Sequence, residues 1–468
     1  MGYNESGDER VNNKRSIKGK KETGRKENLL EKEIGKLENQ YITKRTKLIY
    51  NELRAKKEEL NKMEMDQVER NLIYPRREFF EFSNKNSKTL ARAVQRKKME
   101  NTINEIKDTS GKICRQMKEK LKIFEEFYSK LYQAGEHSID KINEYVEGNW
   151  NIKLREEDRK LLEAPIKEEE IEKVIMKLKN GKAPGWDGFG PEYYKIFGKK
   201  LIPKLAELYN AILNGEKIPE SWKQALVVLI PKINRDETDP GSYRPISLIN
   251  QDAKILSAII ANRMNNWIYK YNNNDQCGFI KGRQMSSLVG KLINKIQIIK
   301  NQQIKAGIVA LDIFKAFDCV EWPTLKCILN KFGLGSRTMG LVNQLYSDNY
   351  IQVLVNDGIT DRIKVTRGTR QGCPMLPILF AITIEILANV IRNDNKLIGI
   401  GKDSDKISLF ADDTILTLKG IADKMEIIGE HIRKFGEITG LKINWKKSEM
   451  ILFNYTKQEE EEFKIGGI

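Results

Sequence analysis

The sequence predicts an α/β (α+β) chain in which short apolar strands end on acidic residues and amphipathic helices pack around them. Three observations carry this. Residues 407–418 hold two strand-like apolar runs around Asp412-Asp413, the pattern of a β-hairpin with both acids at its turn. Ile308-Val309-Ala310-Leu311 is a buried-strand run that ends on Asp312. Several further segments, residues 117–132 and 166–179 among them, have helical spacing.

The acids suggest chemistry. Taken alone, the hairpin reads as a plain turn, where Asp is common. Adjacent carboxylates repel one another, however, unless a cation sits between them. A strand delivering Asp312 beside a hairpin delivering Asp412 and Asp413 would build an oxygen cage. Such a cage suits Mg²⁺, which favours carboxylates, water and substrate phosphates. Two ions about 3.5–4 Å apart can stabilise the attacking and leaving oxygens of a phosphoryl transfer. Asp318 reads as a structural residue that caps the following helix.

The composition narrows the partners. The 468 residues include 82 Lys and Arg against 65 Asp and Glu, a formal net charge of +17. That excess points to a polyanion, either nucleic acid or an anionic surface. No apolar run reaches the length of a membrane span, and the polar start lacks a signal-peptide core. The expectation is a soluble intracellular protein with no membrane partner. The five cysteines show neither metal spacing nor a disulfide framework. Only two histidines, His137 and His431, are present, which argues against a zinc site or a His-based hydrolase.

In chain order, residues 1–28 are polar and charged and read as a disordered basic tail. Its Lys18, Lys20, Lys21, Arg25 and Lys26 form a loose cluster, a nuclear-import signal or a solvated tail. Residues 29–75 carry Leu30, Ile34, Leu37, Tyr41, Leu53 and Leu60 at helical or heptad steps, giving one long helix or a helical hairpin with coiled-coil packing. Residues 76–165 form an extension, with a basic helical zone from Phe79 to Lys98. Strands about a turn follow near Ile106 and Ile113, then a helix over Met117–Tyr132. Its mix of aromatic and basic residues fits RNA, although most of the aromatics read as core. A strand over 225–230 and a return strand from Tyr243 make a hairpin that displays Lys232 and Arg244. Residues 351–355 and 363–365 make another hairpin, which runs into Gly368. Helices are expected at 252–271, 288–301, 322–332, 336–346, 376–391 and 422–439, the last closed by Gly440. A strand at 450–453 completes the order.

The motifs along this order resemble those of the reverse transcriptase of LINE-type non-LTR retrotransposons. In sequence they are Gly181-Lys182-Ala183-Pro184-Gly185-Trp186-Asp187-Gly188-Phe189, Leu229-Ile230-Pro231-Lys232 and Tyr243-Arg244-Pro245-Ile246-Ser247-Leu248. Next come Asp275-Gln276-Cys277-Gly278-Phe279 with Gly282-Arg283, and Leu311-Asp312 to Asp318. Gly368-Thr369-Arg370-Gln371-Gly372-Cys373-Pro374, Phe410-Ala411-Asp412-Asp413, and Ile443-Asn444 to Lys447-Ser448 complete the series. The resemblance is clear over residues 79–454 and weaker before them.

The resemblance implies a right-hand polymerase, with fingers and palm over 166–454 preceded by the helical basic extension. It implies RNA-templated addition of deoxynucleotides to a DNA primer 3′-hydroxyl. Asp312, Asp412 and Asp413 would hold two Mg²⁺ ions, or Mn²⁺ instead, with the Ile313 carbonyl as an extra ligand. Lys232 and Arg244 would contact the triphosphate, and Gln371 and Gly372 would cradle base and sugar. The Phe317 ring would block a ribose 2′-hydroxyl, and Lys447 would protonate pyrophosphate. An RNA template, a DNA primer and dNTPs are the implied partners, with an RNA-binding protein of the same element as a further one. The implied place is a cytoplasmic ribonucleoprotein, the nucleus, or both.

The chain departs from the family at two points. Leu376-Pro377 stands where Ser-Pro is usual, which should remove a helix cap worth about 1 kcal/mol. Ile313 and Phe314 replace small and acidic residues beside the metal site. Nothing resembles the endonuclease that precedes this region in a complete element, and residues 455–468 read as a charged tail that stops before a thumb. The rival readings are an RNA-dependent RNA polymerase, which Phe317 disfavours, and a non-catalytic RNA-binding remnant of a decayed element.

Overall fold

The computed structural model describes residues 30, 33–37, 40, 49, 51–53, 55–60, 102–368, 370–401 and 405–459. The expected tail over 1–28, the basic zone over 79–98 and the last residues of the charged tail lie outside the described residues. Two compact units divide the chain, Met1–Asn104 and Glu105–Ile468.

In the first unit, Leu30, Ile34, Leu53 and Leu60 form one buried apolar cluster with Leu37 against it. Lys56 pairs with Glu33 at 3.0 Å. One straight helix would hold those two residues about 35 Å apart at 1.5 Å per residue. The described helical residues around Glu33 and Lys56 therefore lie side by side rather than along one straight helix.

The second unit is built around two sheets. The first is antiparallel, in the order β11-β5-β10-β9, from Glu449–Phe453, Ala306–Leu311, Asp413–Lys419 and Ile407–Phe410. Its central strand β5 is apolar almost throughout because both of its faces are covered. The other sheet runs β4-β3-β6-β7, with β8 also on β6; these strands are Tyr243–Leu248, Gln224–Pro231, Asn349–Val355, Gly358–Ile359 and Ile363–Val365. Here β3 and β4 form the expected hairpin, while β6 joins β3 in parallel. A short ribbon, β1 (Ile106–Lys107) with β2 (Ile113–Cys114), precedes both sheets.

Helix α1 (Met117–Tyr132) takes its expected span and packs on β6 and β8. Its Phe124, Tyr128, Leu131 and Tyr132 are buried, so this face belongs to the core rather than to an exposed RNA surface. Helices α2 (Ile139–Asn149) and α3 (Glu156–Glu163) fill a stretch to which the sequence pattern assigns no element. Then come α4 (Glu168–Lys177), α5 (Pro191–Ile196), α6 (Gly198–Leu213), α7 (Gln251–Asn265) and α8 (Met285–Asn301). After β5 lie α9 (Ala316–Cys319), α10 (Trp322–Phe332) and α11 (Ser336–Leu345). Helices α12 (Leu376–Asn393) and α13 (Met425–Thr439) complete the set. Gly440 closes α13 at φ +77°, as its position predicts.

Two expectations need correction at α12. By length and composition alone this helix could cross a membrane, with a mean hydropathy of 1.5 over 18 residues, contrary to the reading that no run is long enough. It is 78% buried within the fold, which accounts for its apolar character. Its N-cap is Met375, not Leu376, and the Leu376 N–H donates to the Cys373 carbonyl at 3.1 Å. The amides that a Ser side chain at 376 would have capped, those of Ile378 and Leu379, both donate to the Met375 carbonyl, at 3.2 and 3.1 Å, so the missing cap leaves neither without a partner.

Candidate active site

The register of the first sheet sets the acids. Thr414 of β10 faces Leu311 of β5, so the next step outward brings Asp413 level with Asp312. Asp412 occupies the β9–β10 turn behind Ala411, whose φ of +61° is rare for a residue with a side chain. Burial first, then the charges of Asp413 and Asp312, push the Asp412 carboxyl above its ordinary value. Asp312, Asp412 and Asp413, separated by about a hundred residues of chain, thus share one electrostatic neighbourhood.

The loop after Asp312 is pinned from one side. The Asp312 carbonyl accepts from Asn444 N–H at 2.8 Å, and Phe314 N–H donates to the Lys442 carbonyl at 2.8 Å. Asp312 N–H donates to Ser448 Oγ at 3.2 Å. Ile313 is buried and bridges Ile443, while the Phe314 side chain is exposed. The bulky residues after Asp312 therefore divide between core and solvent.

The turn bearing Asp412 is braced from behind. Cys277 N–H donates to the Leu409 carbonyl, and Leu409 N–H to the Asp275 carbonyl, each at 2.8 Å. Gly278 lies flat against Ala411. Beneath them the Arg392 guanidinium spans both Asp275 oxygens at 2.6 Å each and reaches Glu385 at 2.7 Å. All three side chains are largely buried, and the two acids offset the desolvated cation.

One cation faces Asp312, and a second lies near the first. Lys447 Nζ stands 3.6 Å from Asp312 Oδ2. Lys232, at the end of β3, turns back to donate to the Gly241 carbonyl at 3.0 Å. Burial, followed by the charges of Lys447, Arg244 and Arg235, pushes its ammonium below the ordinary value. Lys232 on the β3–β4 hairpin thus lies within reach of the charge of Lys447, which sits in the turn just before β11. A cavity of about 340 Å³ opens beside Asp312, Asp413 and Lys447, walled by Met285, Leu288, Val289 and Leu292 of α8.

Gln371 and Gly372, in the turn between β8 and α12, are fastened to β4. Ser247 N–H donates to the Gln371 carbonyl at 2.8 Å, and a Cβ at Gly372 would lie 2.7 Å from the Ser247 carbonyl oxygen. Glycine at 372 is required twice, by that approach and by its φ of +119°. Phe317 is half-buried, with its ring centroid 4.8 Å from Phe380 and 6.1 Å from Phe279.

Asp318 is not the helix cap expected of it. It lies inside α9, 2% exposed, and its Oδ1 accepts from Tyr132 Oη at 3.1 Å and Gln371 Nε2 at 3.0 Å. Burial raises its carboxyl to about 6. Lys315 Nζ, with no hydrogen-bond acceptor, rests over the Phe127 ring at 4.6 Å. Sequence reasoning missed Tyr132 and Lys315 as partners of Asp318, and Arg392 as the brace behind the Asp412 turn. One signal for Tyr132 was available: Phe124, Tyr128 and Tyr132 recur every four residues on α1, and the last of them ends that face in a hydroxyl.

The donors fit a hard divalent cation by chemistry, since the charges of Asp413 and Asp312 bear on the Asp412 carboxyl and such an ion would relieve that repulsion. As the side chains are placed, no three His, Cys, Asp or Glu among the described residues stand close enough to grip one ion.

The profile of the family described as reverse transcriptase (RNA-dependent DNA polymerase) matches residues 230–468, just over half of the chain. The chain belongs to the reverse transcriptase family. This reverse-transcriptase-family chain is 27% identical over 330 residues to the Transposon TX1 uncharacterized 149 kDa protein of Xenopus laevis, a match covering 70% of the chain and 25% of that relative. It is 27% identical over 322 residues to the RNA-directed DNA polymerase from mobile element jockey of Drosophila melanogaster, covering 67% and 34%. With the Retrovirus-related Pol polyprotein from type-1 retrotransposable element R2 of Popillia japonica it shares 28% over 289 residues, covering 61% and 39%. These matches put it with the reverse transcriptases of non-LTR retrotransposons, as its motifs suggest, and it spans 25–39% of the length of these three relatives.

Proposed function

We propose that this reverse-transcriptase-family chain is an RNA-directed DNA polymerase with palm and fingers, adding deoxynucleotides to a DNA primer 3′-hydroxyl on an RNA template. The observation that carries the reading is the meeting of Asp312, Asp412 and Asp413 at one end of the first sheet, with Lys447 3.6 Å from Asp312 and with Lys232 in reach of the charges of Lys447 and Arg244. Acids set against cations suit a substrate that is a polyanion carrying divalent metal.

In this reading Asp312, Asp412 and Asp413, with the Ile313 carbonyl, would hold two Mg²⁺ ions. When bound, the ions would supply charge to lower the pKa of the attacking hydroxyl and to offset the leaving pyrophosphate. The protein's own groups do the rest. Arg244 offers a two-point fork and Lys232 a point charge to the triphosphate oxygens. Gln371 and Gly372 support base and sugar, and the Phe317 ring crowds the place of a 2′-hydroxyl. Lys447, beside Asp312, is positioned to give a proton to the departing pyrophosphate. The extension over 76–165 is assigned to the RNA template in the same proposal.

The test is primer extension by the purified chain on an oligo(dT)-primed poly(rA) template with dTTP and Mg²⁺. Extension that EDTA stops and Mg²⁺ restores supports the reading. Tight RNA binding without extension at any Mg²⁺ or Mn²⁺ concentration favours a non-catalytic RNA-binding remnant instead.

A further inference from the structure

The Asp318 carboxylate lies behind the nucleotide side of the site and joins two distant parts of the chain. Its Oδ1 accepts from the Tyr132 hydroxyl at the end of α1 and from the Gln371 side-chain amide. Tyr132 itself is anchored: its ring stacks on Tyr128 at 5.9 Å, and Tyr128 on Phe124 at 6.4 Å. Phe127 and Tyr128 also carry the Lys315 ammonium, three residues before Asp318. One aromatic face of α1 therefore holds the loop after Asp312 at both Lys315 and Asp318.

The chemistry of this bond is directional. An ionised carboxylate only accepts, so it selects the NH₂ end of the Gln371 amide and determines which way the amide is flipped. A planar amide that turns its nitrogen into the core turns its oxygen out of it. Gln371 is half-buried, and no described residue donates to its Oε1. Its backbone cannot swing to compensate, because Ser247 holds the carbonyl at 2.8 Å and Gly372 is pressed on β4.

We propose that Asp318 is a positioning residue that orients the Gln371 amide so that its oxygen faces the incoming nucleotide as an acceptor, and that Tyr132 of α1 holds Asp318 in place. The inference rests on the polymerase reading for the identity of the nucleotide. An acceptor aimed at a deoxynucleotide sugar has one hydroxyl to meet, the one at the 3′ position. The helix before the fingers thus sets sugar recognition in the palm through two hydrogen bonds.

The test measures binding, so that it does not depend on turnover. Dissociation constants for dTTP and 2′,3′-dideoxythymidine triphosphate are determined on the protein bound to poly(rA) and a 3′-dideoxy-terminated oligo(dT) primer. Wild type is expected to prefer dTTP. Asp318→Ala and Gln371→Ala should each lower that preference about tenfold, the size of one hydrogen bond to a site built for it. The double variant should lower it no further, because the two residues act through one contact. Asp318→Asn, which keeps an accepting oxygen, should recover most of the loss, and Tyr132→Phe should show a smaller one. Unfolding midpoints in urea exclude variants that fail to fold, and Asp318→Asn and Tyr132→Phe then decide the matter. A preference unchanged in Asp318→Ala, or additive losses in the double variant, overturns the inference and leaves the polymerase reading standing. Wild-type protein that binds neither nucleotide overturns both.

Discussion

Gly278 stands so close to Ala411 that a Cβ at position 278 would lie 2.0 Å from the Ala411 nitrogen and 2.7 Å from its Cα. Both distances are far inside van der Waals contact, and the obstacle is backbone rather than a side-chain tip. Ala411 is the left-handed residue immediately before Asp412. Any side chain at 278 must therefore move the turn that carries two of the acids. Gly278→Ala should cost about 1–3 kcal/mol of stability, as overpacking does. It should also lower primer extension at least about tenfold, since small displacements of reacting groups are costly. Urea unfolding and an extension time course check both effects. Full activity in a protein of unchanged midpoint would show that this brace does not act on the acids.

The acids themselves should separate chemistry from folding. Asp312 and Asp412 are only partly buried and crowd one another, so the fold does not depend on their charge. Asp312→Asn and Asp412→Asn should each reduce extension by about a thousandfold or more while RNA affinity changes less than about twofold. Removing one like charge should leave stability equal or slightly raised. Near-normal extension in either variant refutes the metal assignment. Joint loss of affinity and activity would point to misfolding.

What could be read from the sequence was what is local. Asp312 is visible because an apolar run of strand length stops on it, and Asp412-Asp413 because two such runs flank them. The spans of α1 and β3 follow from periodicity in the same way. What could not be read depends on contacts across long stretches of chain. Asp318 finds Tyr132 at a separation of 186 residues and Gln371 at 53. No local rule distinguishes it from a helix cap. The parallel pairing of β3 with β6 has no turn to announce it, unlike the β3–β4 hairpin. Position 376 failed for another reason: helix starts are uncertain by a residue or two, and here one residue moves the cap to Met375.

Phe317 tests the sugar from its other side. Its ring lies against Phe380 and Phe279, so truncation removes packing as well as the proposed wall. Phe317→Val should destabilise the protein by about 1–3 kcal/mol. It should also raise the ratio of ribonucleotide to deoxynucleotide kcat/KM by at least about tenfold. The ratio within one protein cancels losses common to both substrates, which is why it is the quantity to measure. A lower midpoint with an unchanged ratio would leave Phe317 as core alone.

The buried charge at Asp318 should be visible in how stability depends on pH. Desolvation raises its carboxyl from an ordinary 3.8 to about 6, against the opposing pull of Lys315, Tyr132, Gln371 and Lys232. The sign follows from proton counts. Between about pH 4 and 6 the unfolded chain has lost this proton while the folded chain keeps it, so stability falls as pH rises through that window. Above about pH 6 both states are ionised, and the cost of holding the charge in the core is constant at about 3 kcal/mol. Asp318→Asn cannot ionise and retains an oxygen to accept from Tyr132 and Gln371. The stability of wild type relative to Asp318→Asn should therefore decline by about 3 kcal/mol from pH 4 to pH 7 and then level off. Urea unfolding of the two proteins at matched pH gives this difference directly, because the many other titrating groups are shared and cancel. A difference that is flat across the window would mean that Lys315 and the two hydrogen bonds fully offset the burial. A difference that rises with pH would mean that they outweigh it, and that Asp318 is held ionised by its surroundings.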